Sequence, residues 1–229
     1  MSLYTPQKPK RFFKLIAVLF IPAAVIIAIV IYISNRSGYP IAFYTRDPSS
    51  ISATDPFFGF LSNVGVILWS STVAVCLFSC SFLRRLGILK DHVRFFLLFG
   101  VLTSMLLFDD LFQFHEEIFP ALFHVSKNFV FLIYGVAVVA ILARTQRVIL
   151  RTEYLLLVIS FGFFGASMGM HLISDEIIPL HYLYEDGAKF LGIVAWMGYL
   201  VGTAHETLYP SDTTFESLEP VHQKVRVSR

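Results

Sequence analysis

Charge is what this chain has least of. Only 15% of its 229 residues are Asp, Glu, Lys or Arg, whereas 56% are hydrophobic. A soluble domain carries about 25% charged residues, so an ordinary water-exposed surface is excluded. Cysteine is nearly absent too. Cys76 and Cys80 lie one helical turn apart inside an apolar segment, a spacing that suits neither a disulfide framework nor a zinc site. They read as packing residues. There is no HExxH sequence, and the apolar segments hold no carboxylate-x-x-His pair.

Long apolar runs are what remain. Twenty-four Phe and a mean hydropathy of +0.69 accompany several windows of about 17–20 apolar residues, enough to cross a bilayer. Lipid offers no water to loose backbone, so such windows must be helical. The chain therefore reads as an all-α, polytopic membrane helix bundle with six transmembrane helices. A basic N-terminus (1–14) precedes the membrane domain (15–207), and a polar tail (208–229) follows it. The spans fall at 15–33, 57–83, 95–114, 128–143, 154–173 and 188–204, with a polar loop over 34–56. The first follows a basic start, like a signal peptide. Its core runs 19 residues with no small-x-small cleavage site after it, which fits an uncleaved anchor. Pro22 removes one helical hydrogen bond there. Gly165 with Gly169 and Gly198 with Gly202 form small-xxx-small pairs, which predict close packing of the last two spans.

Charge placement orients the bundle. Six spans put both termini and two of the five loops on one side. That side carries fourteen of the eighteen basic residues, and the other carries Arg36, Arg46, Lys127 and Lys189. The bias predicts cytoplasmic termini in a cell inner membrane. Ten of the sixteen acids fall at or beyond the outer half.

Two acidic clusters close the outer ends. In FDDLFQFHEEIFP (108–120), Asp109 and Asp110 lie roughly 21 Å along the third span at 1.5 Å per residue. A charge at mid-helix costs roughly 2.5–3.5 kcal/mol, so these carboxylates must be protonated, paired, hydrated or bound to a cation. Such residues are functional candidates. If the helix continues to Glu117, then Asp109, Gln113 and Glu116 share one line and Thr103, Asp110 and Glu117 the next. His115 then points elsewhere. SDEIIPLHYLYEDGAK (174–189) echoes the pattern: Asp175-Glu176, four residues, His181, then Lys189. Spans three and four against five and six look like a degenerate repeat. Both clusters emerge on one face, so Asp109 or Asp110 is expected close to the segment 171–189. Glu185 and Lys189 are spaced for an ion pair. Ser160, Ser167, His171 and Ser174 make a polar stripe, with Ser62 and Asn63 entering from the same side.

The pattern admits three functions. One is a metal-dependent enzyme acting near the lipid headgroups. Asp110, His115, Glu176, His181 and His171 would hold a divalent ion such as zinc or iron, and Asp109, Asp110, Glu116, Asp175, Glu185 and Lys189 would serve catalysis. A lipid or isoprenoid is the expected substrate. The second is a proton- or ion-coupled transporter, since acid and His chains act as relays. The third is an accessory subunit of a larger membrane complex or a homo-oligomer. Nothing points to nucleic acid.

FFGFLSNVGVILW, LLFDDLFQFHEEIFP and YEDGAKFLGIVAWMGYL resemble a group of bacterial and cyanobacterial multi-pass membrane proteins with a DD-x-F-x-x-HEE block and an EDG-x-K block. The resemblance covers spans two to six. It implies a prokaryotic inner membrane and brings no activity with it. Membrane ceramidases and adiponectin-receptor-type hydrolases also place Asp and His in helices. Their final His-x-x-x-His pair is missing here, so they serve only as an analogy for zinc in a bundle.

Overall fold

A computed structural model describes residues 9–46, 48–55, 57–171, 173 and 181–209. Every regular element among them is helical, as the long apolar runs require. The chain divides into two units, Met1–Phe58 and Gly59–Arg229.

The first unit holds α1 (Pro9–Ser37), α2 (Ala42–Thr45) and α3 (Pro48–Ser52). The helix α1 extends four residues past the apolar run and stops at Gly38, whose φ of 74° favours glycine. Its end is tied down locally. The Ser34 hydroxyl donates to the Tyr39 carbonyl at 2.9 Å, and the Tyr44 hydroxyl to Ser37 Oγ at 2.8 Å. The expected loop over 34–56 therefore contains two short helices.

The second unit contains α4 (Phe60–Leu86), α5 (Lys90–Phe112), a π-helical turn (Phe114–Ile118), α6 (Phe119–Phe123), α7 (Lys127–Ile149), α8 (Leu155–His171) and α9 (His181–Leu208). Four of these helices, α4, α5, α7 and α9, are long and apolar enough to cross a membrane. Large apolar side chains stand exposed along them, among them Phe78, Val101, Val136 and Val139. Water would not tolerate so much apolar surface, and lipid does. The chain is a membrane protein.

Packing runs α8 on α9, α9 on α4, α4 on α5 and α5 on α7. Trp69, Phe95, Phe99, Trp196 and Tyr199 fill the centre. Phe99 lies 5.5 Å from Trp196 by ring centroids, and Trp69 6.1 Å. Aromatic pairs at such spacings add their quadrupole attraction to burial. The indole N–H of Trp196 donates to Thr103 Oγ1 at 3.0 Å, which fixes α9 against α5. Cys76 and Cys80 are buried and unbridged, as packing residues.

The glycines of α8 and α9 act differently from the sequence pattern. A Cβ added at Gly165, Gly169 or Gly202 would meet nothing within 4 Å, and at Gly198 it would touch Leu156 at an ordinary 3.6 Å. The close approach is at Gly192, where a Cβ would lie 2.6 Å from the Phe164 ring. Beside it Ser160 donates to the Gly192 carbonyl at 2.8 Å, so this serine of the expected polar stripe is a helix–helix tie. Phe164 stacks on Trp69 and meets Trp196, so it cannot yield easily. Gly192→Ala is expected to destabilise the protein by about 1–3 kcal/mol through overpacking. Thermal unfolding in detergent reads this, with Gly165→Ala as the neutral comparison.

Candidate functional site

One end of the second unit gathers the C-terminus of α5, the π-helical turn and the N-termini of α7 and α9. The helix α5 ends earlier than its sequence suggests. Gln113 takes a left-handed conformation with φ 53°, a state that costs a residue with a Cβ roughly 1–2 kcal/mol. The break overturns the stacked lines Asp109-Gln113-Glu116 and Asp110-Glu117, because the residues after Phe112 leave the α5 register.

What compensates is Asp109. Its Oδ1 accepts the His115 backbone N–H at 3.0 Å and the Tyr134 hydroxyl at 2.8 Å. Its Oδ2 lies 2.6 Å from His115 Nδ1. One carboxylate thereby caps the reversed chain, orients an imidazole and clasps α7. An ionised carboxylate only accepts, so His115 Nδ1 carries the proton in this contact. The ring packs on Phe131 at 4.7 Å. On α7, Ser126 caps the helix by accepting the Phe129 N–H at 3.3 Å, which fixes Tyr134 two turns on.

Asp110 faces the other way. Neighbouring residues on a helix point about 100° apart, so Asp109 meets α7 while Asp110 meets α9. Its Oδ1 is in contact with Lys189 Nζ. The Asp110 side chain is 8% exposed and the Lys189 side chain 43%. The register explains the pair. Thr103 and Asp110 are two turns apart on α5, as Trp196 and Lys189 are on α9, so antiparallel helices joined at one pair are joined at the other. The i,i+4 spacing predicts that Lys189 pairs with Glu185. Its partner is instead a residue of another helix, and Asp186 lies within the electrostatic reach of both.

The helix α9 starts at His181, seven residues before the predicted span, and carries its cluster in helical register. His181 is buried. Its Nε2 lies 2.8 Å from the Met170 carbonyl of α8, and its Nδ1 lies 3.7 Å from Glu185 Oε2. That second distance is too long for a hydrogen bond, and Nδ1 is buried without one.

The other sequence candidates divide as follows. Glu117, Ser62 and Asn63 are exposed. His124 ends α6 in a left-handed conformation with φ 54°. Glu116, Lys127 and His171 are helical residues whose side chains lie outside the description, and Ser174, Asp175 and Glu176 lie outside the described residues altogether. Among the described residues, no three His, Cys, Asp or Glu side chains are grouped to hold a metal ion. Tyr134 is the site residue that sequence reasoning passed over. Its signal was a lone phenol in the apolar run NFVFLIYGVAVVAIL.

The sequence model of a family described as a domain of unknown function (DUF8692) matches residues 18–203. No curated protein and no solved structure gives a significant match. The chain belongs to that family.

Proposed function

We propose that this family member is a membrane-embedded enzyme acting near the lipid headgroup level. Its site lies at the acidic end of the bundle and takes a divalent metal such as zinc or iron. The observation that carries the reading is the state of the two imidazoles. His115 has one ring nitrogen committed to Asp109, and His181 has one committed to the Met170 carbonyl. Imidazoles that bind metals commonly anchor the second nitrogen in this way, on a carboxylate or a backbone carbonyl. His115 and His181 are then the ligands that draw together on binding the ion, since among the described residues no three ligands are already grouped, with Glu185, Glu176 and His171 supplying the remaining positions and Asp109 in support. Lys189, against Asp110, offers a cation to the phosphate of a lipid or isoprenoid substrate. Bound metal would polarise a substrate oxygen or lower the pKa of a bound water.

In this reading α1 and α8 are also spans, which gives six, and the fourteen-to-four bias of basic residues sets both termini in the cytoplasm of a cell with an inner membrane. The test is elemental analysis of full-length protein purified in detergent after growth with zinc and iron. Near-stoichiometric metal in wild type, lost in His115→Ala and His181→Ala, is the expected result. Wild-type protein without bound metal sinks the metal reading.

A second reading, proton coupling, is favoured by the Asp110–Lys189 pair, since paired ionisable groups inside membrane helices mark proton paths. It predicts acidification of liposomes that Asp110→Asn abolishes.

A further inference from the structure

The opposite end of the second unit holds a different chemistry. A cavity of about 210 Å³ opens between the start of α5 and the end of α7. Lys90, His92, Arg147 and Arg151 line it, and Asp91 is its one carboxylate. No carboxylate among the described residues lies within ion-pair distance of Lys90, Arg147 or Arg151. Arg147 and Arg151 stand one turn apart at the C-terminal edge of α7, and both are exposed. Leu89, the N-cap of α5, supplies no side-chain acceptor for the first amides of that helix.

We infer that this cavity binds a phosphate group, by its two arginines together with Lys90. Guanidinium groups present forked donors that match phosphate oxygens, and such donors are favoured where planar, paired recognition is needed. Basic cavities between membrane helices on the positively charged side are known as sites for phosphate-bearing headgroups.

Side marking alone explains less. Arg84, Arg85, Arg94 and Arg144 sit at the same end and satisfy the charge bias without lining the cavity. A basic residue that only marks the side needs no cavity beside it, since its stem can lie along lipid while its head reaches water. The volume between two helices, lined by cations that no described carboxylate pairs, is the additional feature.

The phosphate could arrive on an anionic lipid or as a free anion. Full-length protein reconstituted in nanodiscs of phosphatidylcholine with a minority of phosphatidylglycerol is released into a native mass spectrometer, and retained phosphatidylglycerol is counted. A parallel titration adds inorganic phosphate to protein in phosphatidylcholine alone. Wild type is expected to retain the lipid, and Arg147→Ala/Arg151→Ala to retain about 10- to 30-fold less, as expected for the loss of two basic contacts. Arg84→Ala/Arg85→Ala, which removes equal charge outside the cavity, should retain it like wild type. Arg147→Lys/Arg151→Lys keeps charge without the fork, remains a folded comparison, and should fall between. Binding of inorganic phosphate alone, with the same dependence on Arg147 and Arg151, assigns the site to a free anion. Equal retention by wild type and Arg147→Ala/Arg151→Ala with both probes overturns the inference. So does an equal loss in Arg84→Ala/Arg85→Ala.

Discussion

Lys189→Met is expected to destabilise the protein by roughly 2–4 kcal/mol, more than Asp110→Asn does. The asymmetry follows from burial. Removing the lysine leaves the carboxylate of Asp110, only 8% exposed, without its counter-charge in a medium of low dielectric. Breaking a fully buried pair costs about 3–5 kcal/mol, and the partial exposure of Lys189 lowers that figure. Removing the carboxylate instead leaves a long side chain that is 43% exposed and able to turn its ammonium towards water. Asp110→Asn should therefore cost about 1–2 kcal/mol, mostly from the lost charge-assisted hydrogen bond. The double variant, Asp110→Asn with Lys189→Met, buries no charge and should recover most of the loss. Thermal unfolding in one detergent reads all four proteins. Equal losses in both single variants would show that the lysine is as buried as its partner.

Asp109→Ala carries the second large effect. Three donors converge on this carboxylate, from the His115 backbone, the His115 ring and Tyr134. Their loss should cost about 2–4 kcal/mol, because each donor left unsatisfied forfeits its desolvation cost and the three support one another. The effect should be local before it is global. The carboxylate offsets the strained Gln113, so the turn 113–118 should open without it. Amide exchange over 113–118 should accelerate by about a hundredfold, while the α4–α9 core keeps its protection. Tyr134→Phe removes one of the three bonds and should fall well short of this. Unchanged exchange in Asp109→Ala would mean that the turn is held by other contacts.

The two Asp residues show how far the sequence could be read. The apolar runs and their length dictate helices, and both carboxylates were legible as groups that need partners. The echo of the first cluster at 174–189 pointed to α9, where Lys189 meets Asp110. The specific partner was not legible. An i,i+4 rule favours Glu185 because it knows only one helix, whereas the Thr103–Trp196 register decides which residues face each other across two. The break at Gln113 was hidden for a different reason. Glutamine carries no preference for a left-handed backbone, so nothing local marks the stop. The tie that supports it runs from Asp109 to His115, and it turns the imidazole onto the carboxylate that helical geometry would have pointed it away from. Gly192 was missed in the same way. Glycine spacing marks where helices could approach, and the position of the Phe164 ring decides where they do.

The meeting of the two acidic clusters is the claim on which the site depends. The variant Asp110→Cys/Lys189→Cys, in a background with Cys76→Ala and Cys80→Ala, can be treated with a short bifunctional thiosulfonate in native membranes. The pair replaces both charges together, so the fold should survive. A cross-link within one chain, joining peptides from α5 and α9, is the predicted result. Folded protein that carries reagent on each cysteine and no link between them would contradict it.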